Sequence, residues 1–133
     1  MEAFDREEFE RWLSQAKHTL ASAERDAAEG DFGWACFKAQ QAGEYALKSL
    51  LRGLGQAAHG HVLRRLLATL ASAGISLPSE LLDAAQKLDL HYIPTRYPDA
   101  YPEGSPHEYY NHRTAEEATG AAHQIVTWVQ SAA

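Results

Sequence analysis

A chain of 133 residues can bury one core without disulfide or metal staples, so one domain over 1–133 is expected. Its formal charge of −6 argues against wholesale capture of nucleic acid, which requires Lys and Arg to neutralise phosphates, although one local basic patch stays open. The single cysteine, Cys36, excludes a disulfide framework and a thiolate zinc site within one chain, and its apolar helical setting reads as a small core residue.

The opening Met1-Glu2-Ala3-Phe4-Asp5-Arg6-Glu7-Glu8 is charged and has no apolar leader core. No run approaches the roughly 18 apolar residues of a membrane span. A soluble, cytoplasmic, reducing location with no membrane partner is therefore expected. From about Asp5 to Glu29, Phe9, Trp12, Leu13, Ala16, Leu20, Ala23 and Ala27 recur at three- and four-residue steps, which predicts a first amphipathic helix. Asp5 with Glu8 has capping-box spacing, Gly30 offers a stop, and Asp31 can cap the next element.

A second helix over about 31–54 carries Trp34, Cys36, Phe37, Tyr45, Leu47, Leu50, Leu51 and Leu54, with small residues between them. So wide an apolar arc suits contact with several neighbours and places this helix at the centre of a bundle. Lys38, Gln40, Gln41, Glu44 and Lys48 are its polar residues, and Glu44 to Lys48 has the favourable i, i+4 order. Gly53, Gly55 and Gly60 bracket a connector. Val62, Leu63, Leu66, Leu67, Leu70 and Ala71 then outline a third helix ending near Gly74.

Pro78 fits the first turn of a fourth helix bearing Leu81, Leu82, Ala85 and Leu88. Thr114 with Glu117 gives a second capping-box signature, before a final helix with Ala118, Ala121, Ala122, Ile125, Trp128 and Val129 on its stripe. No segment alternates with period two. The expected fold is all-α: an up-and-down antiparallel four-helix bundle with an additional short helix and a long Pro/Tyr-rich loop, about 93–113, before the last helix. Trp12, Trp34 and Trp128 fall in the stripes and read as core or dimer-interface anchors.

Pro94, Pro98 and Pro102 stiffen that loop, each fixing its own φ and pushing the residue before it toward an extended conformation. It gathers Arg96 with Tyr92, Tyr97 and Tyr101, plus Asp99 and Glu103. A planar guanidinium fork grips phosphate, and tyrosines can stack on a base or on the guanidinium itself. The alternative is structural, with the tyrosines pinning the loop to the bundle. Seven histidines, His59, His61, His107 and His112 foremost, raise a metal site, but neither His-Glu-x-x-His nor Glu-x-x-His occurs, and capping, surface or loop roles are expected instead. Arg64 and Arg65 with His61 form a small basic edge read as solvated surface. No Gly-x-Ser-x-Gly elbow, Gly-x-Gly-x-x-Gly or Walker loop appears, so no catalytic residue and no cofactor is expected.

Three blocks carry a likeness: Cys36-Phe37-Lys38-Ala39-Gln40-Gln41-Ala42-Gly43-Glu44-Tyr45-Ala46-Leu47-Lys48, with its glutamine pair and Ala-Leu-Lys helix; Gly60-His61 leading into a short helix; and Tyr92-Ile93-Pro94-Thr95-Arg96-Tyr97-Pro98. Together they make the sequence resemble the HEPN family, the higher eukaryote and prokaryote nucleotide-binding domains. The resemblance implies an antiparallel helical bundle, often a homodimer, that partners a small nucleotidyltransferase in toxin–antitoxin settings and binds a nucleotide or RNA. Taken with the loop constellation above, Arg96, Tyr97, Tyr101, Tyr92, Asp99, Glu103 and Lys48 are the expected binding residues.

Some members are instead metal-independent ribonuclease toxins with an Arg-x4–6-His pattern late in the chain. After Arg96 the next histidine is His107, eleven positions on, so that pattern is not met where it is expected. Arg11 and His18 fit the spacing but lie in the first helix, away from the family's site. Tyr101 sits at the five-residue offset, yet a phenol is a poor general base at neutral pH. The resemblance therefore favours a non-catalytic binding module over an enzyme. The alternative is a ribonuclease with a dimer-composite site, in which Arg96 stabilises the phosphorane and His91 or His107 moves protons.

Overall fold

The computed structural model describes residues 3–133, leaving Met1 and Glu2 of the charged opening outside the described residues. It contains α1 (Arg6–Ala28), α2 (Phe32–Gly53), α3 (Leu63–Ser72), α4 (Ser79–Asp89) and α5 (His112–Ala132), with no strand among the described residues. Three of the helices are long and two are short. None is long and apolar enough to cross a membrane.

Asp5 starts α1 by accepting the Glu8 N–H at 3.1 Å, which satisfies one of the donors a helix N-terminus leaves open. Only this half of the expected capping box forms, because the Glu8 carboxylate accepts from Trp12 Nε1 instead. Gly30, at φ +86°, turns the chain in the left-handed region that glycine enters without a Cβ penalty. Asp31 occupies the N-cap position of α2 but makes no side-chain capping bond, unlike the expectation. The two helices run antiparallel: the Asp5 N–H reaches the Gly53 carbonyl, Trp12 faces Tyr45, and Lys38 pairs with Asp26 at 2.7 Å.

Helix α2 is central, packing on all four other helices. Gly43 makes this possible, since a Cβ there would meet methyls of Leu63 on α3 and Leu88 on α4 at 2.8 and 3.0 Å. Asp89, at the end of α4, accepts the Leu63 and Arg64 N–H groups and pairs with Arg64 Nε at 3.0 Å. One helix end thus caps the start of another, whose own N-cap, Val62, has no side-chain oxygen to offer.

Three expectations are corrected. Pro78 is the N-cap of α4, one residue outside its first turn, and Leu82 faces solvent while Ala84 turns inward. Trp34 is 48% exposed, which corrects only the core half of its expected role as core or dimer-interface anchor, whereas Trp128 packs against the core and Trp12 is half-buried. Asn111, and not Thr114, caps α5: its Oδ1 accepts from both the Thr114 N–H and Oγ1–H at 2.9 Å, and Glu117 pairs with Arg113.

The segment between α4 and α5 is built rather than loose. It holds two short 3-10 turns, Pro98–Ala100 and Pro106–Tyr109, the second closed by a Ser105–Glu108 capping box. Thr95 is buried and donates to the His91 carbonyl, tying the segment's start to the end of α4.

Candidate functional site

Gln40, Glu44 and Lys48 follow one another at four-residue steps along α2, so they stack on one face of the helix. All three are buried. A carboxylate removed from water must be fully hydrogen-bonded, and Glu44 is. Lys48 Nζ lies 3.0 Å from its Oε2, His61 Nδ1 is 3.1 Å from both oxygens, and the amides of Gln40 and Gln41 donate to Oε1 at 3.3 and 3.4 Å. Gln40 also donates to the His61 carbonyl at 2.9 Å and accepts from Gln41 at 2.7 Å. The glutamine pair therefore clamps both the carboxylate and the connector that carries His61.

From this buried anchor the site climbs to the surface. The His61 ring, half exposed, stacks on Tyr92 with centroids 4.5 Å apart and planes 14° from parallel. The Tyr92 carbonyl in turn accepts from Arg96 Nε and Nη2 at 3.1 and 2.7 Å. The guanidinium lies on an aromatic bed, its Cζ 4.2, 4.9 and 5.0 Å from the ring centroids of Phe37, Tyr92 and Tyr97. Exposed Trp34 extends that bed, edge-on to Phe37. Stacking on π faces attracts the cation and fixes the plane of the fork. Among the described residues no carboxylate pairs with Arg96.

The residues expected at the site divide accordingly. Tyr92, Arg96 and Tyr97 come together, and Lys48 joins them only through Glu44 and His61. Tyr101 belongs to a second cluster, stacked on Tyr109 at 3.9 Å and donating to Tyr110 Oη at 3.0 Å. Burial raises the Tyr110 phenol well above its ordinary range. Tyr109 in turn donates to the Glu103 carbonyl, so this cluster matches the structural alternative in which tyrosines pin the loop. Asp99 and Glu103 are exposed, and neither carboxylate touches Arg96.

The histidines are scattered. His91 packs edge-on against Tyr110, its Nδ1 is buried without a partner, and burial pulls its pKa down, which keeps the ring neutral. His107 lines a separate cavity of about 370 Å³ with Gly30, Asp31, Phe32, Gly33, Trp34 and Thr95. His112 faces Glu116 at 3.6 Å, and among the described residues no three His, Cys, Asp or Glu side chains gather as metal ligands.

Sequence reasoning placed Phe37, Gln40, Gln41, Glu44 and His61 outside the site. The signal that could have found them is the polar row 40, 44, 48 on a helix whose apolar arc already demanded burial on nearly every side.

The described residues form an all-helical bundle in which a buried polar row leads to an arginine at the surface. The HEPN domain family profile matches residues 9–132, and the chain belongs to that family. TT1696 from Thermus thermophilus is similar at 45% identity and TM-score 0.91, covering 94% of this chain and 98% of that one. ST0689, an archaeal HEPN homologue, is 37% identical with TM-score 0.79 and 98% of both chains covered. A HEPN domain protein of Thermotoga maritima, tm0613, is 33% identical with TM-score 0.73, covering 91% of this chain and 95% of that one. No curated protein matches.

Proposed function

We propose that the protein is a non-catalytic HEPN binding module whose Arg96 face takes the phosphate of a nucleotide, working as a homodimer beside a small nucleotidyltransferase. The observation that carries this reading is a guanidinium fixed by a carbonyl and three rings with no acid among the described residues paired to it. Of its five N–H donors, two are spent on Tyr92, which leaves donors and a full charge for an external anion. Because the fork is already ordered, little conformational entropy is lost when an anion arrives. The neighbouring aromatic faces of Tyr97 and Trp34 are exposed and suit a stacked base.

A module of this kind needs no proton-transfer group, and the imidazoles named for the ribonuclease alternative are poorly supplied for that task. His91 is half-buried with its Nδ1 enclosed and its ring edge-on to Tyr110, and His107 lines the other cavity. Binding to the folded state raises the melting temperature, so a panel of nucleoside mono- and triphosphates should shift native protein upward and leave Arg96→Ala unmoved. An equal shift in Arg96→Ala overturns the assignment. RNA cleavage without divalent metal that is lost in Arg96→Ala would establish the ribonuclease reading in its place.

A further inference from the structure

We propose that His61 is a positioning residue for Arg96: pinned by buried Gln40 and Glu44, its ring holds Tyr92 in place, and Tyr92 sets where the guanidinium points. The proposal rests on Arg96 being the anion site and adds the group that keeps this site assembled on α2.

By hydrogen bonds, Arg96 is tied only to its own segment. Its backbone N–H reaches the Ile93 carbonyl and its side chain the Tyr92 carbonyl, while Thr95 Oγ1 and the His91 N–H close on the His91 and Leu88 carbonyls. Among the described residues, no hydrogen bond joins residues 91–97 to α2 or to the connector that follows it. How this segment sits on the bundle is therefore decided by packing.

Two rings from outside the segment bear on the arginine. Phe37 of α2 lies 4.2 Å from the guanidinium Cζ and 6.2 Å from the Tyr92 centroid, tilted by 39°. His61 is closer to Tyr92, at 4.5 Å, and nearly parallel to it. Tyr92 depends on such contacts: the hydroxyls of Tyr101 and Tyr109 donate hydrogen bonds, but among the described residues that of Tyr92 makes none. The same tyrosine serves the arginine twice, through the carbonyl that accepts Nε–H and Nη2–H and through a ring 4.9 Å from Cζ.

His61 suits this task because it is itself held at two points. Nδ1 lies 3.1 Å from both Glu44 oxygens, and the His61 carbonyl accepts from the Gln40 amide at 2.9 Å. Both partners are buried in α2, so the imidazole plane is referred to the central helix. A supporting group locked by its own hydrogen bonds keeps a binding group in its productive geometry. Without it, the cost of ordering the fork falls on the binding step.

Calorimetry with 3′,5′-cyclic adenosine monophosphate at one fixed pH tests this. His61→Ala should bind about tenfold more weakly than native protein. His61→Phe keeps a flat ring against Tyr92 and should recover most of that loss. His61→Asn keeps a donor for Glu44, drops the ring, and should bind as weakly as His61→Ala. A purely structural role, satisfying the buried carboxylate, predicts the reverse order of the last two. In the unliganded protein the Arg96 Nε–H resonance should exchange with water faster in His61→Ala and His61→Asn than in native protein or His61→Phe, because the Tyr92 carbonyl has lost its support. His61 is half exposed, so these variants should keep the fold, which helical circular dichroism checks.

Native affinity or native Nε–H exchange in His61→Ala overturns the positioning role, as does stronger binding by His61→Asn than by His61→Phe, or equal weakening in all three. Absence of binding by native protein, or binding untouched in Arg96→Ala, sinks the Arg96 reading alone. His61 then stands or falls on the Nε–H exchange of the unliganded protein.

Discussion

Replacing Glu44 by Gln keeps the shape of a buried side chain and removes its charge. The Glu44 and Lys48 side chains are 5% and 11% exposed, so the lysine would be left as a nearly buried, uncompensated ammonium. Breaking one partner of a buried pair costs about 3–5 kcal/mol. Because the Gln amide still accepts one hydrogen bond and Lys48 retains a narrow path to water, the low end, about 3 kcal/mol, is expected. For a chain of 133 residues that corresponds to a fall in melting temperature of roughly 10 °C. Adding Lys48→Met removes the stranded charge and should return most of the loss, on the order of 2 kcal/mol. Urea unfolding followed by helical circular dichroism measures both. A Glu44→Gln protein within about 0.5 kcal/mol of native, or a double variant no more stable than the single one, would refute the claim that this pair is buried and mutually dependent.

Gly43→Ala gains about 1 kcal/mol of helix propensity but drives a methyl to 2.8 and 3.0 Å from Leu63 and Leu88. Overpacking of this kind costs about 1–3 kcal/mol, so a net loss near 1 kcal/mol is expected in thermal melts. Burial pushes the Cys36 thiol up to about 12, so native protein should resist alkylation that unfolded protein undergoes at once. Since the unfolded chain loses that thiol proton first, stability should decline between pH 9 and about 12, and Cys36→Ala should lessen the decline. His91 has the opposite dependence: its folded pKa is lowered, so as pH falls the unfolded chain takes the proton first and stability present at neutral pH is lost. His91→Phe should flatten the fall in stability that sets in as pH drops below about 6.5, read from urea midpoints.

Much of the fold was legible because helical period and glycine stops are local signals. The stripe Phe9, Leu13, Ala16, Leu20, Ala23 is buried where its spacing put it, and the wide arc of α2 correctly located the central helix. Boundaries failed where a neighbour, not the local sequence, decided the cap. Asn111, three residues before Thr114, caps α5 by accepting from both Thr114 donors, and Asp89 caps α3 from another helix. The arginine loop was legible through its prolines and tyrosines. The polar row beneath it was not, since i, i+4 spacing of Glu44 and Lys48 describes a solvated helix face equally well, and only the packing of α3 and the connector against α2 turns that face inward. Tyr101 looked like a neighbour of Arg96 in sequence, but the 3-10 turn at Pro98–Ala100 carries it to Tyr109 and Tyr110 instead.

Arg96 is central here as an ordered cation, unpaired with any acid among the described residues, that is proposed to accept an anion from outside the fold. The direct measurement is the Arg96 Nε–H resonance in a proton–nitrogen correlation spectrum during titration with 3′,5′-cyclic adenosine monophosphate. The structure predicts a resolved, slowly exchanging signal, because Nε donates to the Tyr92 carbonyl, and a saturable shift as the anion is added. An Arg96 signal that stays fixed while other resonances report binding elsewhere would contradict it.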